Sequence, residues 1–173
     1  DFAGALADSG ERIALVDGAG GIVDELTYDD AWPFDPAADG GGTSLQRLCL
    51  EVPADAPLNW RAAPPTPGGE AALEACPPVP VPEDPVTRPV IINEILYHPE
   101  GDPEPRLEFV EVHNRGAVEQ DLSSWRFDRG IHYSFPAGMR IPAGGFLVVA
   151  QDPALLESRF ALDPERVLGS FEA

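Results

Sequence analysis

Apolar residues recur along this chain at every second position in short runs, the period of a strand with one buried face. Glu11 to Asp17 (ERIALVD) and Ile22 to Tyr28 (IVDELTY) are two such runs, with Ile13 and Leu15 on one face of the first. Asp17-Gly18-Ala19-Gly20-Gly21 lies between them and supplies the positive φ angles of a tight turn, so the pair predicts a hairpin. Ser44 to Leu50 predicts a third strand. It follows a loop from Asp29 to Thr43 that holds Trp32-Pro33 and the Gly40-Gly41-Gly42 run.

Residues 64–89 break this pattern. Nine of the chain's 20 prolines fall there, and such a stretch sustains neither a helix nor a central strand. It predicts an extended spacer. Strand periodicity then returns over 90–173. Val90 to Tyr97 is the strongest run, followed by Leu107 to His113, with Val110 and Val112 facing one way. Trp125 to Phe127 and Ile131 to Phe135 flank Asp128-Arg129-Gly130, a second hairpin signal. Gly145 to Ala150 predicts a buried strand. Residues 153–162 predict one short helix, with Asp152 as its cap, Pro153 at its first position, and Leu155, Leu156, Arg159 and Phe160 at helical spacing. Many short strands with Gly and Pro turns and a single helix predict an all-β sandwich.

Composition narrows the function classes. Acidic residues number 30 against 11 basic ones, all of them Arg, for a formal charge of −19. Such a surface repels nucleic acid and anionic lipid. No apolar run is long enough to span a bilayer. The chain begins at Asp1 without an initiator Met, which leads us to expect a processed export product or a piece of a longer chain. Cys49 and Cys76 have neither CxxC spacing nor a companion His, which argues against zinc. In an exported protein they are expected to form one disulfide; in a reducing compartment they would be two free thiols.

No catalytic constellation can be assembled. His98, His113 and His132 lie in different segments with no shared spacing. The serines lack an identifiable His and Asp set, and Gly40 to Gly42 precedes a strand rather than a phosphate-binding helix. The only ligand class worth carrying is calcium. Asp29, Asp30, Asp35 and Asp39 form one weak candidate group, and Glu100, Asp102 and Glu104 a second, neither with EF-hand spacing. Trp32, Trp60 and Trp125 are expected to pack in the core or at its rim.

Several phrases, taken together and in order, resemble bacterial lamin-tail domains. Ile91-Ile92-Asn93-Glu94-Ile95-Leu96-Tyr97-His98-Pro99 resembles their opening strand, and Glu108 to Asn114 (EFVEVHN) their second. Asp121 to Phe127 (DLSSWRF), Phe135-Pro136 and Ile141 to Val149 (IPAGGFLVV) resemble the segments that follow. Residues 1–63 resemble the other half of the same domain, through Phe2, Gly4, Leu6, Ser9-Gly10-Glu11, Leu15-Val16-Asp17, Ile22-Val23-Asp24, Tyr28, Asp39 to Leu45 and Asn59-Trp60, with Pro65-Thr66-Pro67-Gly68 just beyond.

The order is inverted, so the reading is the C-terminal half of one copy at 1–63, a proline-rich linker at 64–89, and the N-terminal half of the next copy at 90–173. Tandem repeats and a permuted single domain both produce that order; the similarity of Phe171 to Phe2 favours tandem repeats. The resemblance implies an immunoglobulin-like β-sandwich, here assembled as a circularly permuted domain, and a non-catalytic structural, adhesive or protein-interaction module of a larger exported bacterial protein. The expected partners are a protein or cell-surface polymer and neighbouring domains of the same polypeptide, at an extracellular or cell-surface location. The alternative is a calcium- or carbohydrate-binding accessory module. Asn93, Glu94, Glu108 and Glu111 recur in the pattern and are expected to tie strands and loops by hydrogen bonds, with Arg126 a candidate partner for Glu94 and Glu111.

Overall fold

The computed structural model describes residues 5–70, 76, 88–101 and 106–171. Most of the proline-rich stretch, at 71–75 and 77–87, lies outside them, as do Phe2, Gly4, Asp102 and Glu104.

The first hairpin is β1 (Arg12–Val16) and β2 (Ile22–Thr27). Its turn closes where Asp17 Oδ1 accepts from the backbone N–H groups of Ala19 and Gly21, at 2.9 and 2.8 Å. Just before β1, Gly10 has φ +98°, and a Cβ there would lie 2.5 Å from the Tyr28 carbonyl oxygen, so this entry turn needs glycine. Next come β3 (Ser44–Arg47) and β4 (Trp60–Ala63), the latter absent from the periodicity reading. The second zone supplies β5 (Val90–Leu96), β6 (Phe109–Asn114), β7 (Gln120–Asp121), β8 (Arg126–Arg129), β9 (Tyr133–Ser134), β10 (Arg140–Ile141), β11 (Phe146–Ala150) and β12 (Val167–Gly169).

These strands form two main sheets. One has the order β2-β1-β8-β9, the other β12-β11-β6-β5-β3-β4, and β10 pairs with β7 separately. All pairs are antiparallel except β11 with β12. Both large sheets mix the two sequence zones, since β1 pairs with β8 and β3 pairs with β5. Between the sheets lies one apolar core. Ile13, Leu15 and Phe127 enter it from one side, and Leu45, Ile92, Ile95, Val110, Val112, Leu147 and Val149 from the other. The all-β immunoglobulin-like sandwich is therefore the fold.

A smaller apolar cluster lies on the outer side of the six-stranded sheet, where Leu96, Phe109 and Val148 meet Leu156 of α1 (Pro153–Phe160). The helix starts as expected, with Asp152 accepting from Leu155 N–H and Pro153 at the first position. It ends at Phe160 rather than 162, because Ala161 turns into the left-handed region at φ +54°.

One charged pair crosses the core. Arg47 of β3 is 2 % exposed, and its Nη1 donates to Asp24 Oδ2 at 2.6 Å and to the Ile92 carbonyl at 3.1 Å, while Nη2 donates to the Val52 carbonyl at 2.6 Å. The same Asp24 Oδ2, projecting from β2 in the opposite sheet, accepts from Ile92 N–H at 3.0 Å. Burial pulls the Arg47 guanidinium below its ordinary value, and the Asp24 charge opposes that shift.

Removing one partner of such a pair strands the other charge in the core. Arg47→Met is expected to lower the unfolding free energy by about 3–5 kcal/mol in chemical denaturation. Adding Asp24→Asn to it is expected to cost less than the two single losses summed. Additive losses would show that the two side chains do not act as a unit.

Candidate functional site

The outer face of the six-stranded sheet holds the densest set of buried polar side chains. Two residues of β5, Asn93 and Glu94, stand against one residue of β6, Glu111, because the register shifts between Ile92 and Glu94. This is a β-bulge, and it turns two consecutive side chains to the same side. It also resets the alternation, so Ile92 and Ile95 both reach the core. Glu94 and Glu111 become cross-strand neighbours, a position in which like charges repel.

The two carboxylates are satisfied unequally. Glu94 accepts from Ser44 Oγ at 2.5 Å, Gln46 Nε2 at 3.3 Å, Thr66 N–H at 2.9 Å and Thr66 Oγ1 at 3.1 Å. Glu111 accepts from Asn93 Nδ2 at 2.8 Å and Gly68 N–H at 2.5 Å. Burial raises both pKa values, and the charge on Glu94 raises Glu111 further, to well above the ordinary carboxylate value. With more donors, Glu94 is the better host for negative charge, and burial beside that charge favours the protonated form of Glu111. Together they clamp Thr66 to Gly68 onto the sheet, so the start of the proline-rich stretch is packed, not free spacer. A third acid, Glu108, holds the opposite end of the first zone by accepting from Leu6 N–H at 2.5 Å.

Three of the four recurring polar residues (Asn93, Glu94 and Glu111) thus tie strands and chain segments together, and Glu108 anchors a chain end. The expected contact with Arg126 does not form. Arg126 lies in the other sheet, beside Asp128. The carboxylates are instead met by hydrogen-bond donors from Ser44, Gln46, Thr66, Asn93 and Gly68.

Beside this polar seam is a cleft of about 260 Å³, lined in part by Leu48, Leu50, Glu70, Asn93, His113 and Phe146. The His113 and Phe146 rings stack, with centroids 4.2 Å apart. Burial lowers the His113 pKa, the nearby Glu70 charge opposes that shift, and among the described residues its buried Nδ1 has no hydrogen-bond partner. Among the described residues that line the cleft there is no hydroxyl or thiol.

The other sequence candidates are dispersed. Asp29 accepts from Ala31 N–H, Asp35 from Ala37 and Ala62 N–H, and Asp39 from the His98 ring at 2.5 Å. Asp30 is half-buried, and its pKa is raised by a hydrogen bond to Asp29. Among the described residues, no group of three or more His, Cys, Asp or Glu side chains is arranged to hold a metal ion. His132 is exposed. Cys49 and Cys76 are joined in a disulfide, with Cα atoms 5.1 Å apart. Trp60 is buried, its Nε1 donating to the Ala54 carbonyl, and Trp125 packs at the core edge. Trp32, expected at the core or rim, is instead 80 % exposed, because its loop turns it away from both sheets.

Two features were not legible beforehand. The Asp24–Arg47 pair joins positions far apart in sequence, and the Glu94–Glu111 pairing depends on a bulge with no sequence mark. A run of buried strand broken by Asn-Glu is the one signal that could have pointed to the bulge.

A raised carboxylate pKa has a definite consequence for stability. Between the ordinary glutamate value and the raised one, the folded chain holds a proton that the unfolded chain lacks. The Glu111 contribution is therefore full at acid pH and is lost as pH rises through the folded-state pKa. Glu111→Gln is expected to flatten that part of the pH–stability profile relative to the unaltered chain. Parallel profiles in denaturant titrations from acid to mildly alkaline pH would contradict the assignment.

Comparison with known proteins agrees with this architecture. Residues 83–165, just under half of the chain, match the Lamin Tail Domain family. No curated protein matches the chain, and no solved structure matches it. The segment 83–165 is a Lamin Tail Domain match, set in a β-sandwich that residues 12–63 complete.

Proposed function

We propose that this chain is a non-catalytic structural or protein-interaction module of a larger exported bacterial protein, with a protein or cell-surface polymer as its partner. The observation that carries this reading is the use made of the buried polar side chains. Glu94, Glu111, Arg47 and Asp24 bind backbone groups and one another. They hold strands and chain segments together. The disulfide suits an oxidising compartment, and the strongly acidic composition disfavours nucleic acid as the partner.

We read residues 1–63 and 90–173 as the C-terminal half of one lamin-tail copy and the N-terminal half of the next. The inverted order of the family phrases supports this. So does the way each large sheet draws strands from both segments.

Two measurements test these readings. The thermal midpoint is expected to be the same in millimolar calcium and in chelator. A calcium-dependent rise would favour a cation-dependent binding module instead, since a ligand specific to the folded state raises the midpoint. A circular permutant that joins Phe171 to Ala5 through a short glycine link, and opens between Cys76 and Arg88, is expected to keep the same strand content and melt cooperatively. A permutant that does not fold would overturn the split-copy reading.

A further inference from the structure

The two large sheets end in four edge strands, β2 and β9 in one and β12 and β4 in the other. Three of these edges are short or already met. β9 has two residues and β12 three, too few to guide a further strand. On β4, Ala62 N–H donates to the Asp35 carboxylate at 3.3 Å. The remaining edge, β2, is the longest of the four at six residues, and among the described residues no strand lies beyond it.

Strand register decides which backbone groups of β2 face outward. Tyr28 N–H donates to the Glu11 carbonyl, and Leu26 and Asp24 stand opposite Ile13 and Leu15 of the antiparallel β1. Backbone direction alternates along a strand. Asp24, Leu26 and Tyr28 therefore turn their N–H and C=O groups to β1, and Val23, Glu25 and Thr27 turn theirs away. The Val23 carbonyl accepts from Arg88 Nη1. The outward N–H and C=O groups of Glu25 and Thr27 have no partner among the described residues. Such a row of unpaired groups is the template on which a partner strand forms.

Side chains and charge select the occupant. Ile22, at the head of the strand, is 43 % exposed and offers apolar contact. Glu25 is half-exposed at mid-strand, bonded to Arg12 of β1. Asp29 and Asp30 come just after the strand and bond to each other rather than to a cation. A guanidinium already sits on one outward carbonyl, at Val23. A second copy is the wrong occupant: β2 laid antiparallel on β2 about its centre sets Glu25 against Glu25, between chains of formal charge −19.

We infer that β2 is a docking edge for an extended segment of a basic partner protein, which adds as a strand outside β2 with Arg or Lys side chains near Glu25, Asp29 and Asp30. This rests on the protein-interaction reading above and names the edge and the chemistry of the partner.

The test is made on the full chain with a short, end-blocked peptide alternating Arg and Thr. Binding is expected, with amide shifts in NMR centred on Val23, Glu25 and Thr27. The same peptide with Glu in place of Arg is expected to bind at least about tenfold more weakly, since its charges meet those of the edge. Thr27→Pro removes one outward N–H and no bond to β1, a change an edge strand tolerates. It is expected to keep the strand signal and lose about tenfold in affinity. Alternate N-methylation of the Arg peptide blocks strand pairing without touching the protein or the charge, and is expected to weaken binding as much. Equal binding by the methylated peptide, shifts centred elsewhere, or no binding by the Arg peptide would overturn the inference. So would a concentration-dependent doubling of mass that Thr27→Pro abolishes, which would give the edge to a second copy. A peptide that fails to bind while the thermal midpoint ignores calcium removes the docking edge alone; a calcium-dependent midpoint removes the reading beneath it.

Discussion

The Asp24 carboxylate is the point on which the two layers of this molecule depend. It leaves β2 in one sheet and accepts from the Ile92 backbone and the Arg47 guanidinium in the other. A buried carboxylate without partners would carry a desolvation cost of several kcal/mol. Its placement therefore fixes how the hairpin β1–β2 lies over β3 and β5. Apolar contact alone tolerates sliding between sheets. A charge that must reach one backbone N–H and one guanidinium does not. Arg47 is constrained in the same way, since it also closes the Ile92 and Val52 carbonyls. The pair thus connects two strands of the first sequence zone to the central strand of the second.

The outer face of the six-stranded sheet follows a different rule. There the bulge at Asn93 brings two glutamates together, and the sheet accommodates them through unequal surroundings. Hydrogen-bond donors gather at Glu94, while burial and the neighbouring charge raise the Glu111 pKa. Both then accept backbone N–H groups from Thr66 and Gly68. Perturbed carboxylates often mark active sites. Here their partners are the chain's own strands and the segment that crosses them, which assigns them to holding the fold.

These two polar devices also join the two sequence zones into one sandwich. Polar groups of one zone meet groups of the other: Glu108 accepts from Leu6 N–H, Glu94 from Ser44 Oγ, and Asp24 from Ile92 N–H. The covalent connection between the halves is secondary to this complementarity.

The sequence by itself determined the strands with clear alternation and strong turns. The hairpin over Asp17 to Gly21, the runs starting at Val90 and Phe146, and the Asp152-Pro153 helix start follow from local rules that need no distant residue. It also carried the lamin-tail phrases. The short strands β4, β7, β10 and β12 were decided by tertiary structure, because two to four residues have too little periodicity to stand out and form only against an existing neighbour. The bulge at Asn93, the pairing of Glu94 with Glu111, the burial of Arg47 and the exposure of Trp32 were decided there too. Each depends on which residue lies opposite, and that is set by strand register across the sheet and by how one sheet lies over the other, not by the order of residues along the chain.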